Sequence, residues 1–148
     1  MGAWLRMAAS GQAPVALPGQ MPCDARRLHG IAVRLCDEGV FDQALLPALV
    51  LTTRYPGNAA FAFLAASCLQ RTGQTAAALM MFGVAGLHGA DAFAALAAFR
   101  SGECLAALGK SSDALHAFEA AIEASRKDPD LAPLQHRAQE NAEALRAG

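Results

Sequence analysis

The stretch FRSGECLAALGKSSDALHAFEAAIEA, from Phe99 to Ala124, decides the fold of this chain. Its apolar residues recur three and four positions apart on both sides of a short turn, as they do in two amphipathic helices that pack together. The turn is Gly109-Lys110-Ser111-Ser112, and small residues stand before and after it at Gly102 and Ala114. The stretch therefore predicts one helical hairpin.

The same pattern occurs twice earlier in the chain. Turn glycines at Gly39, Gly73 and Gly109 are 34 and 36 residues apart. Two sets of small residues share one register around these turns: Ala32, Ala66 and Gly102 before the turn, and Ala44, Ala78 and Ala114 after it. A period near 34 with paired helices is the signature of the tetratricopeptide repeat. An ordinary Ala-rich helical bundle is the alternative.

We predict an all-α fold, in which three tetratricopeptide-repeat hairpins and a C-terminal capping helix form an α-solenoid with a concave groove. The predicted layout is a leader at 1–23 and a single domain at 24–148. Within the domain we expect repeats at about 25–58, 59–94 and 95–127 and the capping helix at about 129–146. The leader is rich in Gly and Pro, and its Trp4 is expected either to belong to a poorly ordered tail or to act as an apolar anchor.

Two features depart from a regular repeat. Pro47 falls in the second turn of a predicted helix, so that helix is expected either to start late or to be kinked. The second glycine interval holds two extra residues, which we expect in a helix break at 86–91 with Asp91 as the N-cap of the next helix.

Composition and charge argue against several classes of function. The net charge is −1 and no Lys/Arg cluster occurs on a predicted helix face, which argues against nucleic-acid binding. Charged residues interrupt the most apolar region, which argues against a membrane span, and the N-terminus lacks a secretory apolar run, so we expect a cytoplasmic protein. The four cysteines show no C-x-x-C pair and are expected to be free thiols.

Motifs for catalysis and for cofactors are also missing from the sequence. The four histidines fall on separate predicted elements, away from cysteines at ligand spacing. No glycine-rich phosphate loop is present. We therefore expect a binding protein that is not an enzyme and that uses no cofactor and no metal.

The first helix of each hairpin, here called the A helix, is expected to line the concave groove with the face turned away from its partner, the B helix. Twelve residues are predicted on this face: Arg26, His29, Val33 and Cys36 in the first repeat, Phe63, Ser67, Gln70 and Arg71 in the second, and Leu96, Phe99, Glu103 and Ala106 in the third. Apolar members would form pockets for apolar side chains, while polar ones would hydrogen-bond an extended peptide. A core role for Phe63 and Phe99 is the alternative, because Phe61 or Phe93 would turn inward if the register shifts.

The segment 99–109, followed by Ala114 and by the segment 127–135, resembles the third repeat and closing helix of the class II type III secretion chaperones, which hold translocator proteins. In that family an A-E-C-L element opens the third repeat and a K-P-E-F-like segment opens the last helix. A cysteine stands five residues before the turn glycine, as Cys68 and Cys104 do here. The resemblance runs from about Asp24 to Leu145.

This resemblance implies a cytoplasmic chaperone that keeps hydrophobic, pore-forming translocators soluble before export, without nucleotide. The partner would lie in the groove as an extended segment with spaced apolar residues. The chain departs from the family in having His29 and Cys36 where relatives often have tyrosines, and in its Gly/Pro-rich leader where relatives have a helix that helps them dimerise. Homodimerisation therefore stays open.

Two other functions fit the same repeats. One is a general tetratricopeptide adaptor, including the kind that clamps a C-terminal carboxylate, although Val33, Leu64 and Leu96 lack the charge that such a clamp needs. The other is a chaperone or regulatory subunit for a different component of the secretion apparatus.

Overall fold

A computed structural model of the chain describes residues 22–89 and 91–148. These residues form helices and no strand, which confirms the predicted all-α fold of three hairpins and a capping helix. The helices are α1 Cys23–Asp37, α2 Phe41–Arg54, α3 Ala59–Arg71, α4 Thr75–His88, α5 Asp91–Ala107, α6 Ser111–Ser125, a 3-10 helix Pro129–Leu131 and α7 Ala132–Ala147. The predictions for Trp4 and for the side chain of Asp91 lie outside the part that the structure describes.

Each hairpin turns at a glycine in the left-handed region. The φ angles of Gly39, Gly73 and Gly109 are 79°, 83° and 78°, a conformation that glycine adopts without steric penalty. In the first hairpin the Val40 N–H donates to the Leu35 carbonyl at 2.9 Å and the Gly39 N–H to the Cys36 carbonyl at 3.0 Å. The other two turns repeat these bonds at the equivalent positions. This pairing is the Schellman motif, which satisfies the last carbonyls of an A helix while it starts the B helix.

The small residues lie where the two helices of each hairpin cross. Ala32, Ala44, Ala66, Ala78, Gly102 and Ala114 are all buried. At Gly102 the approach is closest, because a Cβ atom there would lie 2.7 Å from Cε1 of the Phe118 ring. The repeat therefore depends on small residues for contact between its two helices.

Consecutive hairpins stack in chain order: α2 and α4 each pack against the A helix that follows, and α6 packs against the capping helix α7. The A helices α1, α3 and α5 and the capping helix α7 also contact one another in sequence, whereas the B helices are farther apart. The A helices therefore lie on the inner side of the curve, and the B helices lie on the outer side. No described helix is long and apolar enough to cross a membrane.

Pro47 lies inside α2, which begins at Phe41, so the expectation that this helix starts late is wrong. A proline in a helix leaves the carbonyl four residues earlier without its usual partner. That carbonyl belongs to Gln43, which is exposed, so water can satisfy it. The helix therefore accommodates Pro47 on its solvent side.

The extra residues of the second glycine interval lie in a helix and not in a break. Helix α4 continues through Gly86 to His88, and α5 has 17 residues where the equivalent α3 has 13. The connection before α5 is only 89–90, compared with 55–58 before α3. The insertion is therefore absorbed as about one additional turn at the start of α5.

The segment before the capping helix is held by Asp128. Its carboxylate accepts a hydrogen bond from the Asp130 N–H at 3.0 Å, and Pro129 opens a 3-10 turn. Helix α7 then buries Leu134, Ala138 and Ala142 against the last hairpin, together with Leu131 from the 3-10 turn. The stacking face of the third repeat is covered by this apolar stripe.

We predict that Gly102→Ala destabilises the fold by about 1–3 kcal/mol, because the added methyl group collides with the Phe118 ring. The gain in helix propensity, about 1 kcal/mol, is too small to offset this collision. Chemical denaturation followed by circular dichroism measures the effect.

Gly83→Ala is the matched control, because Gly83 is exposed in α4 and a Cβ there meets no atom within 4 Å. It should stabilise the chain by up to about 1 kcal/mol. Equal effects of the two substitutions would contradict close packing at Gly102.

Candidate peptide-binding groove

The predicted groove residues lie on α1, α3 and α5, at equivalent positions of the three A helices. The structure divides them by exposure. Seven have side chains that are partly or fully exposed: Arg26, His29, Val33, Gln70, Arg71, Glu103 and Ala106. Five are buried: Cys36, Phe63, Ser67, Leu96 and Phe99. The accessible surface on the A helices is therefore more polar than the sequence predicts.

The two phenylalanines of the predicted groove belong to the core of the described structure. The Phe63 ring lies 5.5 Å from the ring of Phe82 and 5.8 Å from that of Phe93. The Phe99 ring lies 5.8 Å from that of Phe118, and the guanidinium of Arg137 covers it at 5.2 Å. The core role that was the alternative for Phe63 and Phe99 therefore fits the structure better than pockets open to a ligand.

The other three buried residues of the predicted groove are also covered by neighbouring helices. They are Leu96, Cys36 and Ser67. Leu96 lies in the same hydrophobic cluster as Phe63 and Phe99. Cys36 belongs to a second cluster between α1, α2 and α3. The Ser67 hydroxyl donates to the Phe63 carbonyl of its own helix at 2.9 Å, so its hydrogen-bonding capacity is used locally. A ligand on the groove surface does not reach these side chains in this conformation.

A polar cluster joins the second and third A helices. Oε1 of Glu103 accepts a hydrogen bond from Arg100 at 2.8 Å and one from Gln70 of α3 at 3.4 Å. The Arg100 and Glu103 side chains are only 8% and 24% exposed, so solvent screens this ion pair less than a surface pair. Two predicted groove residues, Gln70 and Glu103, are thus in contact.

The capping helix supplies a wall of the groove that the sequence analysis missed. Asn141, Ala144 and Leu145 of α7 face Glu103 and Ala106 of α5 across a cavity of about 360 Å³. The available signal was the apolar stripe of α7, because its last member, Leu145, remains only half-buried. The groove therefore continues past the third repeat.

His29 has an unusual environment on α1. Its ring is half-buried and lies 5.6 Å from that of Phe61, and its Nε2 atom is buried without a hydrogen-bond partner. This burial lowers the pKa of His29 below its usual value, because a charged imidazolium loses hydration there. The neutral imidazole is therefore the form that the fold favours.

The four cysteines are free thiols, and Cys23 alone is exposed. Cys36 and Cys68 touch, with their sulfur atoms 3.5 Å apart. Burial raises the pKa of Cys104 to about 11, so this thiol stays protonated near neutral pH. Across residues 22–89 and 91–148, no three His, Cys, Asp or Glu side chains come together in a way that could hold a metal ion.

The fold and the groove define a three-hairpin tetratricopeptide-repeat solenoid with a capping helix. A scan against protein-family models gave no match, and neither did a comparison with curated proteins. Solved structures match well. SycD, a type III secretion translocator chaperone of Yersinia enterocolitica, has a TM-score of 0.80 and 19% identity, covering 86% of this chain and 88% of its own.

Two further structures extend the comparison. PcrH of Pseudomonas aeruginosa, in complex with the chaperone-binding region of PopD, has a TM-score of 0.79 and 22% identity, covering 89% of this chain and 98% of its own. The first tetratricopeptide domain of human RPAP3 has a TM-score of 0.65 and 18% identity, covering 84% of this chain and 96% of its own. These likenesses confirm the fold that the resemblance implied.

We predict that stability falls as the pH falls below about 6.5, and that His29 causes part of this loss. Its pKa is lower in the folded chain than in the unfolded chain, so the unfolded chain binds the proton more readily. The loss of stability begins as the pH falls to the pKa of His29 in the unfolded chain. It is complete once the pH is below the lower pKa of His29 in the folded chain. Melting curves between pH 5 and 8 measure it.

His29→Gln should flatten this pH dependence, because glutamine does not titrate. The control is His116→Gln, on the exposed side of α6, which should keep the wild-type slope. If His29→Gln also keeps that slope, His29 is not its source.

Proposed function

We propose that this chain is a cytoplasmic chaperone of a bacterial type III secretion system, which binds an extended apolar segment of a translocator protein in its concave groove. The partner is kept soluble until export. On this proposal the chain acts by binding alone, without catalysis, nucleotide or metal.

The observation that carries the proposal is the structural agreement with SycD and PcrH over 86% and 89% of this chain. SycD is a type III secretion translocator chaperone, and PcrH was crystallised with the chaperone-binding region of PopD. The match to the RPAP3 domain has a lower TM-score, which favours the chaperone over a general adaptor. The sequence details around Cys68 and Cys104 point the same way.

The accessible groove has the chemistry that an extended peptide requires. The Gln70 amide, which bonds Glu103 through one N–H, has a second N–H that can donate to a backbone carbonyl of a strand. Val33 and Ala106 add apolar surface. The cavity between α5 and α7, about 360 Å³, is large enough for an apolar side chain of the peptide. The partner would thus be recognised by its backbone and by small apolar contacts, which suits a chaperone with more than one client.

Co-expression tests this function. The chain is produced together with each protein with hydrophobic segments that is encoded beside its gene, and the soluble fraction of that protein is measured. We expect at least one such partner to be soluble only when this chain is present. If every neighbouring partner stays insoluble, the proposed function is wrong.

Ala106→Trp tests the position of the groove. The indole would fill the cavity between α5 and α7, so the soluble fraction of the partner should fall at least tenfold. Ala120→Trp is the matched control, since Ala120 is an exposed alanine on α6, a B helix. If the partner stays soluble with both variants, it binds elsewhere. Circular dichroism confirms that both variants keep their helices.

A further inference from the structure

Two of the buried thiols lie in contact across the first two repeats. Sγ of Cys36 on α1 and Sγ of Cys68 on α3 are 3.5 Å apart, and both residues are almost completely buried. A disulfide has a sulfur–sulfur distance of about 2.05 Å, so a small shift of the two side chains brings the atoms to bonding distance. The two residues are 32 positions apart in the chain, so the contact joins separate hairpins.

The next repeat offers an internal comparison. Cys104 occupies the same repeat position as Cys68 and is equally buried. The position that would face Cys104 as Cys36 faces Cys68 belongs to the second repeat and holds Gln70, so Cys104 has no equivalent cysteine opposite it. The pairing is therefore particular to the junction between the first and second hairpins.

We propose that Cys36 and Cys68 form a reversible disulfide when the chain meets a hydroperoxide, and that this bond locks the first hairpin to the second. The proposal stands independently of the proposed function. It assigns these residues as a redox modification site inside the solenoid.

The environment of the pair supports different roles for the two sulfurs. The hydrogen bond with the Cys68 thiol lowers the pKa of Cys36, and the positive charge of Arg71 acts in the same direction, against the effects of burial and of Asp37. The same hydrogen bond, together with burial, raises the pKa of Cys68. Because α1 is the end helix of the described structure, we assign Cys36 as the attacking thiolate, which is the form of cysteine that reacts with peroxides.

The chemistry balances with hydrogen peroxide as the oxidant. The Cys36 thiolate attacks one peroxide oxygen, the O–O bond breaks, and the hydroxide that leaves takes up a proton to become water. Cys36 is now a sulfenic acid. The Cys68 sulfur then attacks the Cys36 sulfur, the S–S bond forms, and the S–O bond breaks with loss of a second water. Two thiols are oxidised and one peroxide is reduced.

The position of α1 gives the oxidant access. Among the described helices, α1 packs mainly against α2 and α3, whereas α3 is buried along nearly its whole length between its neighbours. An end helix with fewer contacts opens locally more often than a central one. Peroxide can therefore reach Cys36 without unfolding of the whole chain.

Peptide mapping of the full chain is the test. Reduced protein is treated with hydrogen peroxide, the remaining thiols are alkylated, and a digest without reductant is analysed by mass spectrometry. We expect a linked peptide pair containing Cys36 and Cys68, with Cys104 alkylated, and we expect dithiothreitol to reverse the link. Alkylation of both Cys36 and Cys68 after peroxide, or their irreversible oxidation to sulfinic acid, would overturn the proposal.

Thermal melting tests the lock. The oxidised wild type should melt roughly 5–15 °C higher than the reduced form, because the bond restricts the unfolded chain. Cys68→Ser and Cys36→Ser should lose this rise, whereas Cys104→Ser should keep it. An equal rise in melting temperature in Cys36→Ser would overturn the assignment of the disulfide to Cys36 and Cys68. The peptide mapping uses the wild-type chain, so its result does not depend on whether a variant folds.

Discussion

The close contact between the two helices of each hairpin is the constraint on which the rest of the structure depends. In the third hairpin the Phe118 ring lies directly against the Gly102 backbone, and alanines occupy the equivalent A-helix position in the other two. Helices this close, joined by the same glycine turn, give three units of nearly the same shape. Hairpins of the same shape bury the same face of each hairpin when they stack. This stacking places the A helices side by side along the inner surface.

This stacking also decides what the inner surface offers to a partner. The aromatic side chains of α3 and α5 are used to fill the space between hairpins, so they add stability and do not form open pockets. The surface that remains is made by small aliphatic and polar side chains, including Gln70, Arg71 and Ala106. On the proposed function, such a surface suits an extended backbone better than a bulky folded partner.

The turns and the small crossing positions could be predicted from the sequence because each depends on a strict local requirement. Gly39, Gly73 and Gly109 need a left-handed backbone, and Gly102 needs the absence of a Cβ atom. The burial of Phe63 and Leu96 could not be predicted from the sequence. Helical periodicity assigns a residue to one face of a helix, but it does not say which other element covers that face. The wall formed by α7 depends on the same unknown. The two-residue insertion near His88 was placed in the wrong element, since a helix start and a loop both accept extra residues.

The three identical turns have a mechanical consequence. In each hairpin, two backbone hydrogen bonds hold the turn, and the two helices are in close contact along their length. Each hairpin is therefore expected to move as one rigid unit. The joints between hairpins are the connections from α2 to α3 and from α4 to α5. Side chains of successive A helices meet across these joints: Cys36 with Cys68, Gln70 with Glu103, and the rings of His29 with Phe61 and of Phe63 with Phe93. A disulfide between Cys36 and Cys68 would span the first joint, so it would fix the angle between the first two hairpins and with it part of the curvature of the inner surface.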